Sequence, residues 1–587
     1  MSIDAFEAIL ARMLGPLTVG SALPIFDPEP WLPPEGKDVR GSTGPDPRPI
    51  TAGGSTADRL PSGVAGTTAI EAATASLTAA FLVALCGHRH PAFGRAIAHL
   101  DAAPPDAPAG LADLYRRAME MVTEEIERAS ASDPDVAERL AMAVVRLGSP
   151  RGGDPAEILW SVFFPEGVGI RGHEAEREGT LRAARTVTVL AHNPAPLVDP
   201  GRELLFTSNV LLTTPSPAHR LEALPYPADL RRDLAVAAAQ PQTHWYDHPI
   251  QIGVEPAGNE LLYGLRGLDE AVEFERRRAS GTDRVTCLLS VSVTHPGLHA
   301  IARRYVEAEL AAAEPLRHLD VFVFTEDDTG RLVDEVMGPS ADRYLPSDDG
   351  ATPATRRARL RDAFGVDGAY GRHYTFLKAV TALWQVLVDP AVRGTFKIDL
   401  DQVFPQAELV AETGASAFEH LATPLWGGIG RDPLGRELEL GMIAGALVNE
   451  RDIGGGLFTP DVAYPVGPLT PDRHVFFSGL PQALSTRAEM MERYDTPDRD
   501  GRTTCLQRVH VTGGTNGILV DALRRHRPFT PSFVGRAEDQ AYLLSVLGRK
   551  DMDSVDGSGP RLAYTHAAGL IMRHDKDAFA GAAMAAA

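Results

Sequence analysis

Between residues 285 and 401 the chain alternates between extended and helical patterning, and that alternation limits the fold more than any other feature of the sequence. Val285-Thr286-Cys287-Leu288-Leu289-Ser290-Val291-Ser292-Val293 is a near-continuous β-rich run. An amphipathic stretch follows at about 298–313, and a second run, Leu319-Asp320-Val321-Phe322-Val323-Phe324-Thr325, ends in Glu326-Asp327-Asp328. A helix-patterned stretch at about 374–388, carrying Lys378, then leads through Pro390 and Gly394 into Thr395-Phe396-Lys397-Ile398-Asp399. Strands this apolar are buried on both faces, and strand, helix, strand in that order is the signature of a parallel α/β sheet. Ligands in such sheets bind beyond the carboxyl ends of the strands.

The third extended run closes on Asp399-Leu400-Asp401. In an extended chain that spacing puts both carboxylates on one side. Mg²⁺ and Mn²⁺ take oxygen ligands, keep several waters, and are held by one or two carboxylates together with substrate phosphates. A strand end meeting solvent in an acidic chain has the same appearance, so it is the position at the end of a parallel strand that singles this pair out.

Composition narrows the partners. With 57 Lys and Arg against 78 Asp and Glu, the net charge is -21, which opposes non-specific attraction to nucleic acid or to an anionic membrane. An anionic substrate would need its own cation. Cys86, Cys287 and Cys505 lie far apart without metal-ligand spacing, which fits a reducing cytoplasm better than a disulfide framework. The first residues, Met1-Ser2-Ile3-Asp4-Ala5-Phe6-Glu7, carry acids where a signal peptide has basic residues, and no stretch has the apolar length of a membrane span. No membrane insertion is expected.

At 587 residues the chain is too long for one core. Residues 1–66 are crowded with Pro and Gly and are expected to form an arm. Residues 67–240 are expected to form a mostly helical domain with a few strands; within it, helical spacing at about 67–147, as in Leu111, Leu114, Tyr115, Ala118, Met119, Val122 and Ile126, predicts two or three packed helices. The strands are expected at Arg185-Thr186-Val187-Thr188-Val189-Leu190 and around Leu204 to Leu212. Residues 241–282 connect to an α/β domain at 283–580. A Pro-rich arm followed by helices suits a contact between copies of the chain, so a homo-oligomer is expected.

The order of these elements resembles that of nucleotide-sugar glycosyltransferases of the GT-A type, over residues 283–577. The resemblance implies a Rossmann-type mixed sheet flanked by helices. It implies that Asp401 is the direct ligand of a Mg²⁺ or Mn²⁺ ion on the diphosphate, with Asp399 near the ribose or sugar. Phe533-Val534-Gly535-Arg536-Ala537-Glu538-Asp539-Gln540 is similar to the Glu-Asp pair near the family's acceptor site, so Glu538 and Asp539 are the catalytic candidates, with Asp539 as base in an inverting reaction. Tyr564-Thr565-His566 and Arg573-His574-Asp575-Lys576 are similar to the C-terminal segment whose histidine completes the metal site; His566 and His574 both remain open. Asp327, Asp328, Lys378, Arg573 and Lys576 are the expected contacts to the nucleotide sugar, alongside Asp399. Trp426, near a glycine-rich turn, and Gly513-Gly514-Thr515-Asn516 are expected to shape the acceptor pocket. The latter stretch is expected to precede a helix from Ile518, whose N-terminus would offer backbone N–H groups.

The expected activity is transfer of a sugar from a UDP- or GDP-sugar to a hydroxyl of a small-molecule or glycan acceptor. Sugar, base, acceptor and stereochemical outcome stay open. A sugar-nucleotide pyrophosphorylase is the nearest rival, but it should carry a Gly-rich loop with Arg and Lys after its first strand, where Ser292-Val293-Thr294-His295-Pro296-Gly297 stands. A non-catalytic sugar-nucleotide-binding protein is the third class.

Overall fold

The computed structural model describes residues 2–14, 28, 32, 69–108, 110–132, 134–149, 153–163, 174–216, 221–244, 249–278, 284–345, 352–365, 372–461, 486–530, 539, 542–543, 545 and 559–574. Glu538 and Lys576 lie outside the described residues, as do most of the arm expected at 1–66 and residues 245–248. The chain divides into two compact units, Met1–Arg171 and Gly172–Ala587.

The first unit is helical. Its helices are Ser2–Met13, Ala69–Ala84, Phe93–Ala102, Leu111–Ser132, Pro134–Leu147 and Pro155–Phe163. Among the described residues, 69–147 hold four α-helices, where two or three were expected over about 67–147. Proline opens two of the six, at the first helical position where its missing N–H costs nothing. The helices pack through alanines set among larger aliphatic residues: Leu77, Ala80, Val83, Ala96 and Leu100 form one cluster, and Ile9, Leu140, Ala143 and Ile158 another.

The second unit is built on one mixed sheet of 12 strands. These are β1 (Thr186–Ala191), β2 (Leu204–Thr213), β3 (Ile250–Gln251), β4 (Val285–Val293), β5 (Leu319–Phe324) and β6 (Gly394–Ile398). The rest are β7 (Gln402–Val403), β8 (Ile429–Arg431), β9 (Glu437–Asn449), β10 (Thr504–Leu506), β11 (Thr515–Leu519) and β12 (Arg561–His574). The main path runs β10-β1-β8-β9-β11-β6-β2-β4-β5. Strands β5, β4, β2 and β6 are mutually parallel, and β11 enters antiparallel between β6 and β9. Phe206 on β2 meets Phe396 on β6 edge to face, ring centres 6.2 Å apart, in a core that also buries Leu212, Val291, Ile398 and Met442.

The α/β unit therefore begins well before 283. β2 lies inside the parallel part of the sheet, paired with β4 on one side and β6 on the other. About seventy residues of chain separate β2 from β4, including the helices Ala228–Ala238 and Glu260–Arg278. Parallel partners need a crossover of a dozen residues or more, so their pairing leaves no local mark. The helix Glu260–Arg278, placed by sequence in a connecting segment, buries Leu261, Leu265 and Leu268 in the sheet's main core.

Candidate functional site

The parallel strands place the acidic pair. From β2 the chain builds outward through β4 to β5, then returns to lay β6 on the other side of β2. The strand order thus reverses between β2 and β6. Neighbouring crossovers leave in opposite directions at such a point, which opens a crevice at the carboxyl ends. β6 ends at Ile398, so Asp399-Leu400-Asp401 turns out of the sheet at the mouth of that crevice.

The turn rests on the helix Glu260–Arg278. A Cβ placed on Gly264 would lie 2.5 Å from both Cα and O of Leu400, and one on Gly267 would run into Val403. Two glycines three apart on one helix face therefore let the backbone of the turn lie directly against the helix.

Three further elements converge on the pair. β12 runs antiparallel to β7, with His574 opposite Gln402, and this brings His574 Nε2 to 3.1 Å from Asp401 Oδ2. Burial pushes the Asp401 carboxyl up, but the hydrogen bond and charge of His574, helped by Lys397, more than offset it and hold the group below its ordinary value. On the same side of β6, Lys397 pairs with Asp399, and Gln402 Nε2 lies 3.4 Å from the other oxygen of that carboxylate. The loop before β11 closes the cluster. A Cβ on Gly513 would meet Asp539 Oδ2 at 2.9 Å and Asp399 Oδ2 at 3.6 Å, so both carboxylates border one glycine.

Buried polar groups brace that loop from behind. Lys378 on the helix Arg372–Leu387 is 1% exposed and donates to Asn516 Oδ1 at 3.0 Å. Burial, with the nearby charge of Lys397, drives its ammonium well below the ordinary lysine value. Asn516 Nδ2 in turn donates to the Gly513 carbonyl at 2.8 Å, which also accepts from Lys397 at 3.0 Å. Arg508, wholly buried, donates to Thr512 Oγ1 at 2.6 Å and to the Gly445 carbonyl.

No protein-family model matches this chain, and no curated protein or solved structure is significantly similar to it.

The structure thus brings together Asp399, Asp401, His574, Asp539, Gly513 and Gly514. Of the two histidines, His574 meets Asp401. His566 instead lies buried farther back on β12, with its Nε2 2.8 Å from the Glu492 carbonyl. Lys378, expected on the nucleotide sugar, is a buried brace. Asp328 serves as the third residue of the helix Glu326–Leu332, in a capping box with Thr325 and paired with Arg303, while Asp327 beside it is exposed. Arg573 points to the opposite face of β12 from His574, with its Nη1 4.0 Å from Glu450 Oε1. Thr515 and Asn516 are buried in the first residues of β11, a strand where the helix was expected to follow the loop more closely; the helix Val520–His526 begins only after it. The reason is position: β11 is gripped between β6 and β9, and the pairing of 515–519 with both outweighs any local preference. Trp426 is buried, its ring against Gly517 of β11 and its Nε1 donating to the Gly441 carbonyl at 3.0 Å.

Sequence reasoning passed over Lys397, Gln402, Gly264 and Gly267. Lys397 carried a usable signal, since residues two apart on a strand share a face and Lys397, Asp399 and Asp401 form one such row.

Proposed function

We propose that the protein is a metal-dependent glycosyltransferase acting on a nucleoside-diphosphate sugar. The observation that carries this reading is the meeting of Asp401 and His574 at the carboxyl end of β6, where the strand order reverses.

Asp401 supplies the carboxylate oxygen that a hard divalent cation takes. His574 Nε2 shares a hydrogen bond of 3.1 Å with that carboxylate, and on giving up this proton the imidazole would be a second ligand for Mg²⁺ or Mn²⁺ beside it. Among the described residues no group of three or more His, Cys, Asp and Glu surrounds a single point. Two protein ligands with the remaining positions left to water and diphosphate is the usual arrangement for a phosphate-bound ion of this kind. Bound there, the cation would offset the negative charge that develops on the leaving diphosphate.

The chain's own groups divide the remaining work. Asp399, kept in place by Lys397 and Gln402, would accept from hydroxyls of the sugar or ribose. Asp539, across Gly513, is the base candidate: the acceptor oxygen forms a bond to the sugar's anomeric carbon, the bond from that carbon to the diphosphate breaks, and the acceptor's proton passes to the Asp539 carboxylate. Gly513 and Gly514 keep side chains out of the space between these carboxylates.

Calorimetric titration with UDP and GDP, with and without Mn²⁺, tests the reading on the wild type and on Asp401→Ala. Binding of one nucleotide only when metal is present, lost in the variant, is the expected result. Failure of both nucleotides to bind under every metal condition would overturn it.

A further inference from the structure

The carbonyl of Gly513, the glycine that borders Asp399 and Asp539, accepts two hydrogen bonds from one face of the sheet. Asn516 and Lys397 stand directly opposite each other across the antiparallel pair of β11 and β6, so their side chains share that face. Asn516 Nδ2 reaches the carbonyl at 2.8 Å and Lys397 Nζ at 3.0 Å. Lys397 also pairs with Asp399, so one ammonium ties the carbonyl to the carboxylate.

Asn516 connects this contact to the helix Arg372–Leu387. Its Nδ2 donates a second time, to the Thr512 carbonyl at 3.1 Å, and its Oδ1 accepts from Lys378 Nζ at 3.0 Å. A side-chain amide carries two donor hydrogens on its nitrogen and an acceptor oxygen, so both ends of Asn516 are engaged. Turning the amide over would set Oδ1 against two carbonyl oxygens. Lys378 is 1% exposed and Asn516 wholly buried. Taking a donor away from a buried amide oxygen costs at least as much as a typical hydrogen bond contributes, so loss of the Lys378 amine weakens the hold of Asn516 on the loop.

The neighbouring residue has an anchor of its own. The Thr512 hydroxyl accepts from Arg508 at 2.6 Å and donates to the Gly445 carbonyl at 3.0 Å. Gly513 has no side chain to be anchored, so its place in the loop depends on main-chain bonds. The effect of Lys378 is therefore felt at Gly513 more than at Thr512.

We propose that Lys378 is a positioning residue of the site: acting through Asn516, it holds the Gly513 carbonyl, and with it the glycine that separates Asp399 from Asp539. The metal pair lies outside this chain of bonds, since Asp401 and His574 meet through the pairing of β7 with β12. Lys378 thus governs the side of the site that faces Asp539 and not the seat of the cation. What that side does in catalysis rests on the glycosyltransferase reading, whereas the chain of hydrogen bonds does not.

Hydrogen exchange of the full chain, read by mass spectrometry on peptides covering 510–516, is the test. Lys378→Met keeps the apolar stem and removes the amine, and Asn516→Leu removes the amide at nearly constant shape. A thermal melt reports whether each variant is folded, and either folded variant decides the question. Exchange at 512–515 is expected to quicken tenfold or more in each, and the double variant should exchange there no faster than Asn516→Leu alone. A lysine that only supports the fold would quicken the slow exchange of core strands such as β2 and β4 and leave the loop unchanged. Unchanged exchange at 512–515 in a folded variant, or additive effects in the double variant, would overturn the proposal. Lys378→Met should also keep the metal-dependent Kd for UDP or GDP within threefold of the wild type while lowering turnover tenfold or more, and an equal loss in both would overturn the assignment to the Asp539 side. If neither nucleotide binds the wild type, the glycosyltransferase reading falls and exchange at 512–515 still decides this one.

Discussion

Gly513 stands between two carboxylates that belong to different parts of the chain, Asp399 and Asp539. A methyl group there would approach Asp539 Oδ2 to 2.9 Å, closer than real Cβ contacts allow, and the flexible carboxylate is the partner that moves. Gly513→Ala should therefore lower turnover tenfold or more while changing the metal-dependent nucleotide Kd by less than threefold; steady-state kinetics beside calorimetry would separate the two, and an equal loss in both would place Asp539 outside the reaction. His566 makes a prediction of another kind. Burial lowers its pKa from about 6.5 in the unfolded chain to about 3, so the unfolded state binds the extra proton throughout that interval. Its contribution to stability is complete above pH 6.5 and declines as pH falls toward 3, by about 1.4 kcal/mol per pH unit. His566→Gln lacks this titration, so the stability gap between wild type and variant should shrink by roughly 2 kcal/mol from pH 7 to pH 5. Urea unfolding at the two pH values measures it, and a constant gap would show that the imidazole titrates normally.

Among the elements, the helix Glu260–Arg278 does more for the site than its sequence suggests. Replacing an interior helical glycine by alanine ordinarily stabilises a helix by up to about 1 kcal/mol. At Gly264 the added carbon would lie 2.5 Å from the Leu400 backbone, and overpacking of that kind costs about 1–3 kcal/mol. The steric cost wins, because the neighbour is main chain and not a side-chain tip. Gly264→Ala is thus expected to destabilise the second unit by roughly 1–2 kcal/mol and to weaken nucleotide binding by displacing Asp399 and Asp401; a stabilised variant with unchanged binding would refute the packing account. What the sequence revealed follows from the range of each interaction. β4, β5 and β6 were legible because burial on both faces writes itself into a local run such as Val285 to Val293. β2 was legible as a strand from Leu204 to Leu212, but its place between β4 and β6 depends on partners some eighty and one hundred and ninety residues away, Leu289 and Phe396 among their strands. The acidic pair showed in its spacing, whereas its nearness to His574 depends on a two-strand ladder between β7 and β12 that no periodicity announces. Lys378, expected to contact the nucleotide sugar, is buried on its helix, and its partner there is Asn516 on a strand far along the chain.

On the scale of the whole molecule, each unit has a complete core of its own. Among the described residues, the clusters built on Leu77 and on Ile9 draw only on residues before 171, and those built on Phe206, Phe376 and Leu440 only on residues after 172. Asp399, Asp401, Gly513, Asp539 and His574 all lie in 172–587. A unit with its own core folds alone in principle. Residues 172–587 expressed by themselves should therefore melt cooperatively in a calorimetric scan and bind the same nucleotide in the presence of Mn²⁺, with a Kd within threefold of the full chain. Cooperative melting with binding lost would assign residues 1–171 a direct part in holding the nucleotide. Retained binding would instead leave the helical unit to functions outside the donor site, where recognition of the acceptor or contact with a second copy of the chain would be the next properties to measure.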